Sequence, residues 1–400
     1  MTTEHAGQKA GSDWPDSGSR SIRLGARNLR KFGFAAFHLP GEAVPPAGLW
    51  RRIVRLEAGD GGGVVTVHVP AVLCRPLPAG GDTPLSGLKE FSIEPAGVRL
   101  DSMSLLSARA GWNQTRADLR RFFGGQCGRA YRAALHTGRG VIDLGSGSLF
   151  IPSGRLAWIG MILVHEELRR QGIARAMMRH CLQVAEWEMD IPCIGLDATP
   201  AGRELYLDLG FMEAYPIWRC RIDTSDTPDI PSGEAVSNAP DYRGIRAYLD
   251  RTEWLGRLPD PQLLRPLHGS SICSIRRNGE VTGFAMSRPG RTMPYIGPVL
   301  ADSAAEASLL VAAHLQRWKS QGFAQLLIDI PELHCGAGDV TTAYGPQPIA
   351  AYFASLQRLR PLIRMYRAGR KSGKSTRDIV DEELGARRSV LYAIAGPEIG

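Results

Sequence analysis

Apolar and polar positions follow no sustained period over the first twenty or so residues, MTTEHAGQKAGSDWPDSGSR, which reads as a disordered tail. Between Ser21 and Pro95 one stretch alternates cleanly, Val64 to Val69 (VVTVHV). It predicts a strand set among Gly-Gly-Gly, Pro-Pro and Pro-Leu-Pro interruptions that prevent longer elements. This stretch reads equally as a small appended β-rich piece or as an irregular extension. From about Gly97 the pattern becomes that of an α/β unit. Short helices are predicted over Leu105 to Gly111 and Ala117 to Phe123, around the loop Trp112-Asn113-Gln114-Thr115. Three strands follow, Ala130 to Leu135, Gly140 to Ile151 and Leu156 to Val164, with turns at Thr137-Gly138-Arg139 and Pro152-Ser153-Gly154. Ile173, Ala176, Met177, Cys181, Val184 and Ala185 keep helical spacing, which predicts a helix from Gly172 to about Met189. A short strand, Cys193 to Asp197, leads to a helix capped by Thr199, entered through Pro200 and stopped at Gly210, and then to a strand over Tyr215 to Ile222.

Thr224 to Pro240 is rich in Pro, Ser, Gly and Asp and reads as a linker. Beyond it the order of elements repeats: helix (Tyr242 to Asp250), hairpin (Ile272 to Ile275, Thr282 to Ser287, turning at Asn278-Gly279), strand (Tyr295 to Leu300), helix (Ala304 to Gln321), strand (Leu326 to Ile330), helix (Pro348 to Leu359) and terminal strands. Cys193 to Pro200 (CIGLDATP) and Leu326 to Glu332 (LLIDIPE) share a strand ending in Asp with a nearby Pro. The expectation is an α/β fold with a mixed sheet in two related units, 96–226 and 240–400, preceded by an extension over 1–95.

Length and composition narrow the class. At 400 residues, 44% apolar and 22% charged, the chain has material for two cores, and no apolar run approaches the roughly 18 to 20 residues of a membrane span. No basic region followed by an apolar stretch opens it, so a cytoplasmic protein is expected. Seven scattered cysteines, with no Cys-x-x-Cys pair, point to reduced thiols rather than disulfides or zinc. The nine histidines show no metal-ligand spacing, so no metal is expected. Much of the +8 net charge sits between Arg358 and Arg388, where ten Lys or Arg face four Asp or Glu. With Tyr366 its single aromatic residue, that run reads as a solvated flexible loop rather than a nucleic-acid surface.

The chemistry concentrates in Met161 to Met178, MILVHEELRRQGIARAMM. A strand leads into a loop, Arg169-Arg170-Gln171-Gly172-Ile173-Ala174, and the loop opens a helix. Gly172 and Ala174 keep side chains out of the way of backbone N–H groups at a helix start, where the dipole also favours an anion, and Arg169, Arg170 and Arg175 add positive charge. Farther on stands Leu205-Tyr206-Leu207-Asp208-Leu209-Gly210-Phe211, a Tyr on a helix followed by Gly-Phe. Together and in this order the two segments resemble the signatures of the GNAT superfamily of acyl-CoA-dependent N-acyltransferases. Ala110-Gly111-Trp112-Asn113-Gln114 and the closing segment from Arg364 to Gly400 are similar to the tandem group that carries a second, degenerate GNAT-like domain. Leu144-Gly145-Ser146-Gly147-Ser148, by contrast, is followed by no helix and is not read as a nucleotide loop.

The resemblance implies acetyl-CoA as co-substrate, with Ile162, Leu163 and Val164 offering backbone groups to the pantetheine arm and Arg169 to Arg175 (Arg169, Arg170, Gln171, Gly172, Ile173, Ala174, Arg175) holding the pyrophosphate. It implies Tyr206 as the acid that protonates the leaving thiolate, and Trp112, Asn113 and Gln114 on the acceptor side. Thr199 departs from the Asn that many members carry there. No acid lies on Leu156 to Val164, so Asp197, at a strand end, is the candidate general base, with a purely structural role as its alternative. The second unit has Val299-Leu300-Ala301-Asp302-Ser303-Ala304 in place of the loop, without glycine or arginine, and is expected not to bind CoA. The expected function is direct acetyl transfer from acetyl-CoA to a primary amine on a small molecule. A non-catalytic acyl-CoA-binding regulator and a protein N-acetyltransferase are the alternatives.

Overall fold

The structure, a computed structural model, describes residues 20–23, 37–38, 50–57, 64–70, 90–96, 100–125, 127–137, 140–164, 169, 172–226, 236–239, 241–252, 271–335, 348–386 and 390–399. They fall into two compact units.

The first unit takes in Met1–Ala96, Tyr131–Ser146 and Val164–Met177. Its strands are β1 (Arg20–Arg23), β2 (Phe37–His38), β3 (Trp50–Glu57), β4 (Val64–Pro70) and β5 (Glu90–Pro95), with most of β6 (Gly128–Thr137) and the start of β7 (Gly140–Ser153). The alternating stretch at Val64 is therefore a strand, and it lies between β2 and β3 in a separate antiparallel sheet. β5 pairs antiparallel with β1 and, from Glu90↔His136 to Pro95↔Tyr131, with β6. Of the two readings left open for this region, the β-rich one describes these strands; most of the first twenty residues lie outside the described ones. Arg132 ties three strands together by pairing with Glu94 and, at 3.1 Å, with Asp143. The Gly-Ser run at 144–148 is part of β7.

The second unit takes in Gly97–Ala130, Gly147–Leu163 and Met178–Gly400. Helix α1 (Asp101–Arg109) begins four residues before the expected start, and α2 (Arg116–Phe123) opens on a capping box. There Thr115 Oγ1 accepts from Asp118 N at 3.1 Å and the Asp118 carboxylate accepts from Thr115 N at 2.8 Å. The strands run β8 (Leu156–Val164), β9 (Cys193–Ala198), β10 (Met212–Asp223), β11 (Val236–Ser237), β12 (Ser271–Arg277), β13 (Glu280–Arg288), β14 (Tyr295–Ala301), β15 (Gln325–Pro331), β16 (Gln357–Ala368) and β17 (Leu391–Ala393). In space their order is β8-β9-β16-β10-β15-β14-β13-β12-β11, with β17 on β14. Asn278 (φ +52°) and Gly279 (φ +86°) make the expected tight turn between β12 and β13.

Helix α3 (Ile173–Gln183) continues into a wider π turn, Val184–Glu188, and α4 (Arg203–Asp208) precedes β10. Helices α5 (Tyr242–Arg251) and α6 (Ala304–Ser320) cover opposite faces of the sheet. On β13, Ala285 packs in a cluster with Leu310, Val311, Leu315 and Trp318 of α6, while its neighbours Phe284 and Met286 pack with Ile245, Tyr248 and Leu249 of α5.

Two expectations fail here. Pro348 to Leu359 is no helix: a short 3-10 turn, Ile349–Tyr352, gives way to β16. β16 fills the slot between β9 and β10, and Pro361 within it stands opposite Trp218 of β10, beyond the end of the β9 ladder, which stops at Ile363↔Ala198. A missing N–H costs no ladder bond on the β9 side there. For the same reason the basic run from Arg358 is not a flexible loop. Its charges face carboxylates: Arg358 with Glu332, Arg367 with Glu186, Arg370 and Lys371 with Asp190, and Lys374 with Glu382 in α7 (Thr376–Ala386).

Candidate active site

The loop that carries the first signature leaves β8 at Val164 and reaches α3 at Ile173. Arg169 is exposed, and its Nε donates to the Val164 carbonyl at 3.3 Å. Gly172 has φ +81°, a conformation that side chains resist, and its carbonyl accepts from Ala176 N at 2.9 Å as the first bond of the helix. The first turn of α3 carries no acidic side chain to compete with an anion, and Ala174 is small. Arg175 is half-buried, while Arg170 and Gln171 lie outside the described residues.

β8 and β9 pair in parallel over three positions, Leu156↔Cys193, Ala157↔Ile194 and Trp158↔Gly195. At the last of them Trp158, fully buried, lies on the bare face of Gly195, where an added Cβ would come 2.2 Å from the indole. The ring is held by its Nε1–H donating to the Pro397 carbonyl at 3.1 Å and by the Arg364 guanidinium stacked 4.6 Å from it. Past this vertex the ladder stops and the strands part. Met161, at φ +52°, takes a left-handed backbone that costs on the order of 1–2 kcal/mol for a residue with a side chain. A cleft of about 530 Å3, measured out to its mouth, opens there, between Ile159–Ile162 on β8 and Leu196, Asp197 and Thr199 on and after β9.

Tyr206 of α4 lines this cleft. Burial, with the neighbouring Cys181 thiol, pushes its hydroxyl up to about 12, so it is protonated throughout the physiological range. Gly202 makes room for the ring, since a Cβ there would stand 2.7–2.9 Å from its Cε2, Cζ and Oη. Phe211 meets the other side edge-on at 6.3 Å. The helix starts later than Thr199: residues 199–202 form a turn in which the Thr199 carbonyl accepts from Gly202 N and Arg203 N, and Gly202 holds the capping position. Gly210 (φ +83°) ends α4 as expected.

Asp197 also lines the cleft, but both its oxygens are held by Arg364 of β16, Nε to Oδ1 and NH2 to Oδ2, each at 2.8 Å. Both side chains are fully buried. This pair, formed across directly opposed residues of β9 and β16, gives the carboxylate a structural task and leaves it poorly placed to take a proton from an amine. Trp112 and Gln114 line the cleft, whereas Asn113 faces away from it. Its Oδ1 accepts from Thr292 N and Oγ1 at 3.0 and 2.8 Å, and its Nδ2 donates to Met293 O at 2.9 Å. Asn113 is thus a clamp on the β13–β14 loop, not an acceptor contact. Gln114 Nε2 donates to Glu398 at 2.9 Å, and Glu398 is held with Asp118 by the buried Arg288. Among the cleft residues that escaped the sequence reading are Arg219, Arg360 and Leu362. The first carried no signal, and the others were absorbed into the basic run.

Residues 240–400 repeat the splay and close it. β14 and β15 pair in parallel at Tyr295↔Leu327 and Ile296↔Ile328, and beyond that β17 enters the gap: Val299↔Ala393 and Leu300↔Leu391, with Ile394 N donating to Asp329 O at 3.0 Å. Two residues, Asp302 and Ser303, separate β14 from α6, and Ser303 Oγ caps the helix by accepting from Glu306 N at 3.2 Å. Among the described residues no three His, Cys, Asp or Glu side chains are grouped to hold a metal ion. No described helix is long and apolar enough to cross a membrane.

The GNAT acetyltransferase domain family matches this chain twice, over residues 129–213 and 263–351. A curated relative, the uncharacterized N-acetyltransferase YitH of Bacillus subtilis, is 27% identical over 191 residues, which are 46% of this chain and 64% of that protein. Solved structures of similar shape include a tandem GNAT protein from the clavulanic acid biosynthesis pathway (15% identity, TM-score 0.49, 69% of this chain and 98% of that one). Another is a GCN5-related N-acetyltransferase from Sphaerobacter thermophilus (12% identity, TM-score 0.45, 68% and 92%). The chain carries two GNAT acetyltransferase domains in tandem.

Proposed function

We propose that the protein is an N-acetyltransferase that moves an acetyl group from acetyl-CoA directly to a primary amine of a small molecule. The observation that carries this reading is the parting of β8 from β9 just past Trp158↔Gly195, beside a protonated Tyr206. Backbone groups of Ile162, Leu163 and Val164 that β9 does not pair are suited to the pantetheine arm. Arg169, Arg170, Gln171, Gly172, Ile173, Ala174 and Arg175 are suited to the pyrophosphate through a helix start free of acids.

In the proposed reaction the neutral amine attacks the thioester carbonyl, the carbon–sulfur bond breaks, and Tyr206 gives its hydroxyl proton to the departing sulfur. The amine's surplus proton leaves to solvent, and solvent reprotonates Tyr206, so protons balance. No carboxylate is needed as a resident base, in keeping with the engagement of Asp197 by Arg364. The second domain, its splay filled by β17, covers the acceptor side rather than binding a second acyl-CoA.

The test is thermal unfolding with and without acetyl-CoA, followed by thiol release with an amine panel. Acetyl-CoA should raise the midpoint of the wild type and of Tyr206→Phe, and not of Gly172→Glu. Tyr206→Phe should turn over about 100-fold more slowly, within the range of general-acid effects. Acetyl-CoA binding with no thiol release from any amine would leave the non-catalytic alternative standing.

A further inference from the structure

Three guanidiniums stand around the cleft and its floor, and two are already neutralised. Arg364 is paired with Asp197. Arg219 is paired with the fully buried Asp329 through Nε and NH2 at 2.8 and 2.7 Å, and the Asp329 carboxylate also accepts from Tyr295 at 3.2 Å. Arg360 is the exception: it lines the same cleft as Tyr206, is half-buried, and pairs with no carboxylate among the described residues. It stands directly opposite Arg219 in the β10–β16 ladder. Burial first, and then the neighbouring charge of Arg219, lower its proton affinity against a smaller opposing pull from Asp329. A cation held partly out of water beside a second cation is unfavourable on its own, and a guanidinium presents paired donors that match a carboxylate. The same lining includes Ile159, Leu196, Leu362 and Trp112, and its one carboxylate, Asp197, is already taken by Arg364.

The geometry points to an acceptor that carries a carboxylate as well as the amine, with Arg360 binding the carboxylate while the amine lies toward Tyr206. This inference rests on the acetyl-transfer reading and narrows its substrate class to amino-acid-like amines. The anionic group could also be a phosphate of the acyl donor, and the experiment separates the two sources.

The full-length chain is supplied with acetyl-CoA and matched pairs of amines: amino acids, including β-alanine and γ-aminobutyrate, against their methyl esters and decarboxylated counterparts. Thiol release is read for the wild type, Arg360→Met and Arg360→Lys. In the wild type the free carboxylates should be used about 10- to 100-fold better in kcat/KM, the scale of one charge-assisted contact. Arg360→Met should abolish that preference through KM, Arg360→Lys should restore part of it, and the thermal shift with acetyl-CoA should not change. Equal use of both members of each pair overturns the inference, as does a loss of acetyl-CoA binding in Arg360→Met, which assigns the residue to a donor phosphate. Binding of the N-acetylated amino acids is measured in parallel by thermal shift. If no amine is turned over, stabilisation of the wild type but not of Arg360→Met by these compounds keeps the carboxylate site while the transfer reading falls, and stabilisation of neither sinks both.

Discussion

The pair Asp197–Arg364 decides whether the cleft holds a general base or a structural lock, and its energetics can be worked from the geometry. Both side chains are fully buried, and the contact is bidentate, with two N–H···O bonds of 2.8 Å. Burial opposes the charge on Arg364, yet Asp197, with Tyr215 and Tyr366, holds its pKa well above the ordinary value. Removing one partner leaves the other ion stranded away from water, which costs about 3–5 kcal/mol, a factor of roughly one hundred to several thousand in the folding equilibrium. Removing both in favour of apolar side chains of similar size is close to neutral. Arg364→Met and Asp197→Leu should therefore each lower the free energy of urea unfolding by about 3–5 kcal/mol, and the double variant should recover most of that loss. Tryptophan fluorescence suits the assay, because Trp158 is buried under Arg364. A general base would behave differently: Asp197→Asn would cut turnover by about 100-fold or more at nearly unchanged stability. Single variants within about 1 kcal/mol of the wild type, or a double variant whose loss equals the sum of the singles, would refute the structural assignment.

The donor-loop and general-acid predictions above, for Gly172→Glu and Tyr206→Phe, are read by thermal shift and thiol release. Gly202→Ala should displace the Tyr206 ring, which an added Cβ would approach to 2.7 Å, lowering kcat by about 10-fold or more while circular dichroism shows a folded protein. His314 gives a pH signature. Its ring is buried against Ser271, Ser287 and Cys273, and burial above all depresses its pKa to about 4 from 6.5. Below pH 6.5 the unfolded chain takes up a proton that the folded one refuses, so stability should fall between pH 6.5 and 4 by up to about 3 kcal/mol from this group alone. His314→Gln, though less stable at pH 7, should show a flatter profile over that interval in urea melts, and an equally steep one would remove His314 as the cause.

Much of the architecture was legible because it is local. Helix periods at α3 and α6, the turn at Asn278-Gly279 and the stop at Gly210 depend on residues a few positions apart, and each stands where the pattern put it. The loop ending in Gly172-Ile173-Ala174 was legible for the same reason: a helix start after a glycine of positive φ needs only a short run of chain with the right conformational freedom. Thr199 misled because its carbonyl, not its side chain, serves the following turn.

What no local pattern carried was how distant strands meet. The placement of β16 between β9 and β10 brings Arg364 to Asp197, 167 residues away in the chain, and turns a candidate base into half of an ion pair. It also sets Arg360 opposite Arg219 on the wall of the cleft, although in the sequence Arg360 belongs to a basic run that reads as solvated and Arg219 carries no signal. Asn113 looked like an acceptor contact until the β13–β14 loop came to rest on it. The sequence by itself carried the family resemblance, the Gly172 loop and the helix of Tyr206, since these are written in contiguous residues whose conformation is set by their neighbours. Which charges are paired, which one is left to meet a ligand, and which splay is open or filled by β17 were decided by the tertiary structure, because a charge acquires its meaning from the partner and the solvent it is packed against.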